Sequence, residues 1–163
     1  MISRICKILI LFTLLTISCK NKEKEVTPMW NASNSDIAKW KVDALTKGDT
    51  NAYYNLSKDY MDSSYEGFLE TALTMANKYE YHLAFSDAYD CLTNVDRKYG
   101  EHELKPLNEE NRKLAIDMLK RGSQKGNPEC QRKLGELYIE GVYLEKDLEK
   151  GNKLIKESVK TSS

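Results

Sequence analysis

The feature that most constrains the fold of this chain is a stretch that it carries twice. KGDTNAYYNLSKDY, residues 47–60, returns as KGNPECQRKLGELY, residues 125–138. Gly48, Ala52, Leu56, Ser57 and Tyr60 thereby stand opposite Gly126, Cys130, Leu134, Gly135 and Tyr138, at an offset of 78 residues. Two units of about 39 residues give that offset, and such a period belongs to stacked helix pairs. The spacing within the copies is helical as well. Cys130, Leu134, Leu137 and Tyr138 fall at i, i+4, i+7 and i+8, which is one face of a helix.

The rest of the chain from Ser35 onward has the same period, and no useful length alternates as a strand would. A short helix is expected over 36–46, with Ile37, Trp40, Ala44 and Leu45 inward. The next, capped by Asp49 or Thr50, holds Ala52, Tyr53, Leu56 and Tyr60. Ser63 with Glu66 three places on reads as a capping box opening a helix with Phe68, Leu69, Ala72, Leu73 and Met75. Residues 80–95 place Leu83, Ala84, Ala88 and Leu92 inward, and Gly100 and Pro106 mark a loop before the helix 108–125. Leu114, Ala115, Met118, Leu119 and Gly122 share a face of that helix, and Gly126 stands where a left-handed terminator would end it. Asn127 caps the next helix with Pro128 at its first position. The last, 145–160, carries Leu148, Ile155 and Val159 as an apolar stripe, with Leu154 alongside. A single helix pair cannot bury its apolar face, so about three must stack. The expected fold is all-α, a short α-solenoid of antiparallel helix pairs with about three repeats and six or seven helices, over residues 36–163.

KGNPECQRKLGELYIEGVYLEKDLEKGNKLIKES resembles a Sel-one-like repeat, a variant of the tetratricopeptide repeat. The family's small residue, Leu-Gly, Leu-Tyr and Gly appear as Cys130, Leu134, Gly135, Leu137, Tyr138 and Gly141. Its Asp-x-x-Lys-Ala start to the second helix appears as Asp147, Lys150 and Gly151, with glycine in place of alanine. The resemblance covers 108–160 well and 47–78 fairly, and leaves 79–107 without a register. It implies packing roles for Ala52, Leu56, Tyr60, Cys130, Leu134, Gly135, Tyr138 and Gly141, and a surface that binds other proteins.

The first nineteen residues, MISRICKILILFTLLTISC, have a different character. Arg4 and Lys7 precede an apolar run from Ile8 to Ile17, and Ser18 stands directly before Cys19. That run is about half the ~20 residues a membrane-spanning helix needs, so the layout is that of a secretory signal over residues 1–18. It resembles a bacterial lipoprotein signal, which implies lipidation of Cys19, although Thr16 and Ile17 fit the lipobox loosely. The polar stretch KNKEKEVTPMWNASNS after it suits a tether, taking the anchor and linker together as 19–35. By the same resemblance, Lys20 rather than aspartate after the cysteine favours the outer membrane of the cell envelope, with the periplasmic or surface face open. Membrane contact is then expected through the lipid alone.

Charge and chemistry narrow the functional classes. The chain has 25 basic and 25 acidic side chains, and loss of Arg4 and Lys7 with the signal leaves the mature chain near −2. No basic stripe exists for nucleic acid. His82 and His102 are the sole histidines and neither forms a metal-ligand spacing, so no metal and no cofactor is expected. No phosphate loop or nucleophile motif occurs, and the Glu109–Glu110 pair sits where a helix dipole favours it. No catalytic residue is therefore assigned. Cys91 and Cys130 read either as a disulfide of an oxidising envelope or as two free buried thiols. With Ala84 in the small-residue position they lie about 10 Å apart along the helix direction, beyond the roughly 7 Å a disulfide spans, which favours free thiols.

Tyrosine is enriched, with seven of the ten between residues 53 and 89. Tyr53 and Tyr54 are adjacent and cannot both face inward. Tyr53, Tyr54, Tyr65 and Tyr81 are thus candidates for a partner-binding face, set against the alternative that most tyrosines pack between helices with only the hydroxyl wet. The functional expectation is a non-catalytic protein–protein interaction module on a lipid anchor, its partner another protein. Two alternatives are a periplasmic toxin-neutralising protein and a carbohydrate-binding or uptake accessory.

Overall fold

The computed structural model describes residues 32–62, 67–93 and 104–161. Among these described residues seven helices run in chain order: α1 (Asn34–Lys47), α2 (Thr50–Asp62), α3 (Leu69–Lys78), α4 (His82–Thr93), α5 (Glu109–Gln124), α6 (Pro128–Glu140) and α7 (Leu148–Thr161). No strand occurs among the described residues. α2 packs on α1, α4 on α3, α5 on α4, α6 on α5 and α7 on α6. Contacts also run one step further, from α1 to α3 and from α4 to α6. The fold is an all-α stack of helix pairs.

Local signals set the helix ends. Gly126 has φ +78°, the Gly126 N–H donates to the Ser123 carbonyl at 3.1 Å, and Asn127 N–H donates to the Gly122 carbonyl at 2.9 Å. Those two bonds form a Schellman ending that satisfies carbonyls left without helical partners. Asn127 then turns from terminator to cap, its Oδ1 accepting from Cys130 N–H at 2.8 Å, with Pro128 at the first helical position. α1 also ends on a left-handed glycine, Gly48 at φ +68°, but there the Gly48 N–H donates to the Ala44 carbonyl at 3.1 Å, and Asp49 Oδ1 accepts from the N–H groups of Asn51 and Ala52. Ser63 and Glu66 lie outside the described residues.

Burial in the two copies of the repeated stretch agrees at the matched packing positions, although Asn55 is exposed where Lys133 is buried. Ala52 and Cys130 are buried, as are Leu56 and Leu134, and Ser57 and Gly135, while Tyr60 and Tyr138 are half-buried. Gly141, φ +72°, ends α6. Six alanines, at 44, 72, 76, 84, 88 and 115, are completely buried, and their small side chains let helices approach closely enough for ridges to enter grooves. Larger side chains fill the remaining space: Leu56, Phe68, Met75, Phe85, Met118 and Leu119 are each at most 1% exposed.

Two sequence expectations need correction. The first helix opens at Asn34, not 36, so two residues assigned to the tether belong to the folded domain. Ser33 and Asp36 form a capping box there, with Asp36 N–H donating to Ser33 Oγ at 3.2 Å and Ser33 N–H to Asp36 Oδ2 at 3.3 Å. The apolar stripe of α7 also does not face inward: Leu148 is 53% and Val159 64% exposed, whereas Gly151 and Ser158 are buried and Leu154 and Ile155 partly so. The reason is the crossing of α6 over α7. A Cβ built on Gly135 would meet the Gly151 carbonyl oxygen at 2.8 Å, and one on Gly151 would meet the Gly135 oxygen at 2.8 Å. The inward sector of α7 centres on a residue without a side chain, which an apolar period cannot reveal.

Candidate functional site

The polar chemistry of the fold gathers on α4, between α2 and α6. Asp87 and Asp90 stand one turn apart on this otherwise apolar helix. Tyr53, from α2, donates its hydroxyl to Asp87 Oδ2 at 2.7 Å. Lys133, from α6, donates to Asp90 Oδ1 at 2.6 Å and lies 3.4 Å from Glu129 Oε1, with its side chain only 4% exposed. A third tie comes from Asn127, whose Nδ2 donates to the His82 carbonyl at 2.8 Å and to Ser86 Oγ at 3.1 Å. Such groups are stable when buried because each is partnered, and removing one partner would strand the other.

Asp90 and Asp87 differ in one respect. Asp90 has a buried ammonium beside it, while Asp87 makes no ion pair among the described residues. Burial raises the Asp87 carboxyl to about 6, the Tyr53 hydrogen bond opposes the rise, and the Asp90 charge adds to it. Burial, then the Asp87 charge, also holds the Tyr53 phenol well above its ordinary value.

Aromatic rings pack around Tyr53, the donor to this carboxylate. The Tyr53 ring stacks on Phe68 at 5.3 Å between centroids and meets Tyr81 edge-on at 5.5 Å. Tyr60 extends the stack, 5.0 Å from Phe68. Tyr81 owes its place to the turn between α3 and α4, in which Glu80 adopts φ +53°, a left-handed conformation unusual for a residue with a Cβ. Lys125 Nζ pairs with Glu80 at 2.6 Å and Tyr81 N–H donates to the Met75 carbonyl at 3.0 Å, which together hold the turn. Burial, then the Asp87 charge, then Tyr54, push the Tyr81 phenol up.

The candidate tyrosines therefore separate. Tyr53 is 1% exposed and belongs to the core, which removes it from the expected binding face: its hydroxyl is satisfied by Asp87 and its ring by Phe68 and Tyr81. Tyr54, one residue on, is 47% exposed, with Lys58 Nζ 4.2 Å from its ring centroid. Tyr81 is half-buried beside them, and Tyr65 lies outside the described residues. Sequence reasoning missed Asp87, Asp90 and Lys133. The available signal was an acid pair at i and i+3 inside HLAFSDAYDCLT, where every other interior position is apolar or small.

Cys91 and Cys130 are both free. Burial pushes each thiol up to about 12, so neither is a reactive thiolate near neutral pH. Among the described residues, no cluster of three His, Cys, Asp or Glu side chains could hold a metal ion, and no helix is long and apolar enough to cross a membrane. His82 is exposed at the start of α4. A recess of about 640 Å³ opens between α6 and α7, lined by Tyr138, Leu144, Glu145, Lys146, Asp147, Leu148 and Lys150. Its one aromatic wall is already covered, since Lys150 Nζ lies 4.2 Å over the Tyr138 ring and donates to its hydroxyl at 2.8 Å. Comparison with known protein families, curated proteins and solved structures finds no match to this chain.

Proposed function

We propose that this protein is a cell-envelope lipoprotein, tethered through Cys19, whose stack of helix pairs binds another protein and catalyses no reaction. The observation that carries this reading is the division of labour among the tyrosines. Tyr53 is consumed by the core, its hydroxyl held by Asp87, while Tyr54 stays half in water on the adjoining surface of α2. An exposed tyrosine buries a large rigid ring at little entropic cost, the property that concentrates binding energy at interfaces. Resemblance to the Sel-one-like repeat supports the same reading by analogy of fold, and the lipobox-like Ser18–Cys19 pair supports the anchor.

Two measurements test it. Metabolic labelling with a palmitate analogue is expected to mark the wild-type chain and not Cys19→Ser, and labelling that survives the substitution would remove the anchor. Crosslinked capture from membranes is expected to retain a discrete protein that Tyr54→Ala loses. Equal retention by the variant would overturn the assignment of this surface.

A further inference from the structure

We propose that the outer edge of α7 is a docking seam for a second copy of this chain, the two α7 helices lying antiparallel about a two-fold axis. The inference goes beyond the partner surface at Tyr54 and does not rest on it. Its starting point is where the stack stops. Each helix pair in such a stack is buried against its neighbours, so the last helix keeps a side open, and soluble stacks ordinarily make that side polar. α7 does not. Leu148, Asn152, Ile155 and Val159 follow one another at i, i+4, i+7 and i+11, within an arc of about 60° on the helix. Leu148, Asn152 and Val159 are exposed, and Ile155 is half-buried where it borders Gly135. Gly151 and Ser158, on the buried side of α7, lie about a quarter-turn away. The 4-3-4 spacing is that of a coiled-coil seam, in which one polar residue such as Asn152 fixes the register at some cost in stability.

Charge selects what lies on this seam. Residues 145–149 hold three acids, Glu145, Asp147 and Glu149, and one base, Lys146. Residues 150–160 hold four bases, Lys150, Lys153, Lys156 and Lys160, and one acid, Glu157. Lys150 is held by the Tyr138 hydroxyl, and Asp147 caps the helix by accepting from Lys150 N–H at 2.9 Å. Glu145, Glu149, Lys153, Lys156 and Lys160 are exposed, and none of these five forms an ion pair among the described residues. The helix dipole favours acid at the start and base at the end, yet it gives none of these side chains a partner. Glu149 and Lys156 border the seam on the same edge, about 10 Å apart along the axis, too far to pair within one helix. A second α7 running the opposite way pairs them. A two-fold contact sets residue i of one copy on residue j of the other and j on i. Leu148 then meets the second copy's Val159, and Glu149 meets the second copy's Lys156, each contact being made twice. An unrelated partner would need this polarity by chance, whereas a second copy has it by construction.

The test is sedimentation equilibrium of the full mature chain, produced without its lipid, at low ionic strength and up to about 1 mM. Wild type is expected to dimerise with a Kd on the order of 100 μM, because one helix pair lies at the low end of interface size. Leu148→Ala should weaken the dimer about tenfold. Lys156→Glu sets acid against acid at both ends of the seam, and Glu149→Lys sets base against base. Each should weaken association about fivefold or more, and an equimolar mixture of the two should associate as wild type does. Circular dichroism of each variant checks that its helices are retained. A wild-type chain that stays monomeric at the highest concentration overturns the proposal. So does a dimer indifferent to Leu148→Ala, or a mixture of the two charge variants that associates no better than either alone. Tyr54→Ala, on α2, should dimerise as wild type does, and a dimer lost in that variant would also overturn the seam. Capture of another protein is read separately and stands or falls without it.

Discussion

The cleanest perturbation is Asp87→Asn, read as stability against pH. The Asp87 carboxyl stands near 6 in the folded chain against an ordinary 3.8, with burial as the largest cause. A folded value above the unfolded one means that the native state holds the proton more tightly. The stabilising contribution is complete below about pH 4 and is lost as the pH rises through 6. Roughly two units at about 1.4 kcal/mol each give a ceiling near 3 kcal/mol. Asparagine keeps the shape and an acceptor for Tyr53 but has no charge to desolvate. Urea denaturation at pH 4.5, 6.0 and 7.5 should therefore show the variant gaining on wild type as pH rises, by about 2–3 kcal/mol at pH 7.5. Carboxylates that do not interact with Asp87 titrate equally in both proteins and cancel in the difference. A stability difference that is the same at pH 4.5 and 7.5 would refute the argument.

Two further substitutions probe the packing. Gly135→Ala sets helix propensity against the backbone crossing of α6 and α7. Propensity alone predicts a gain of about 1 kcal/mol. The new Cβ would instead meet the Gly151 carbonyl oxygen and Ile155 Cγ1, each at 2.8 Å, so a net loss of about 1–2 kcal/mol is expected in thermal melts. A raised melting temperature would show that the helices slide apart freely. Asn127→Ala removes the α6 cap and both side-chain donors to α4, and should cost about 2–4 kcal/mol by chemical denaturation. A loss no larger than that of a simple cap, about 1 kcal/mol, would mean that the tie to α4 contributes nothing.

How far the fold was legible varies by element, for physical reasons. The α5–α6 corner could be read outright, because Gly126, Asn127 and Pro128 each answer a backbone requirement that no distant contact alters. The opening of α1 was read two residues late, since aspartate at Asp36 completes the capping box where glutamate or glutamine is the usual sign. α7 was misread in its face, because Gly151 and Ser158 lie inward and the larger Leu148 and Val159 outward. In the candidate site, Tyr53 was named from sequence but its partner Asp87 was not. An acid on an apolar helix gives no indication of whether a lysine, a tyrosine or water will face it.

What the sequence determined by itself is the class of structure: helices, caps between them, and a repeated stretch whose small and large residues recur in register. Those features depend on neighbours within a few residues, so local energetics decide them. What only the tertiary structure decided is which of two adjacent tyrosines enters the core, which aspartate receives the buried lysine, and which keeps an unbalanced charge. Those outcomes depend on residues more than thirty positions apart meeting across packed helices. Burial and electrostatics at such contacts are properties of the assembled stack, not of the chain segments that build it.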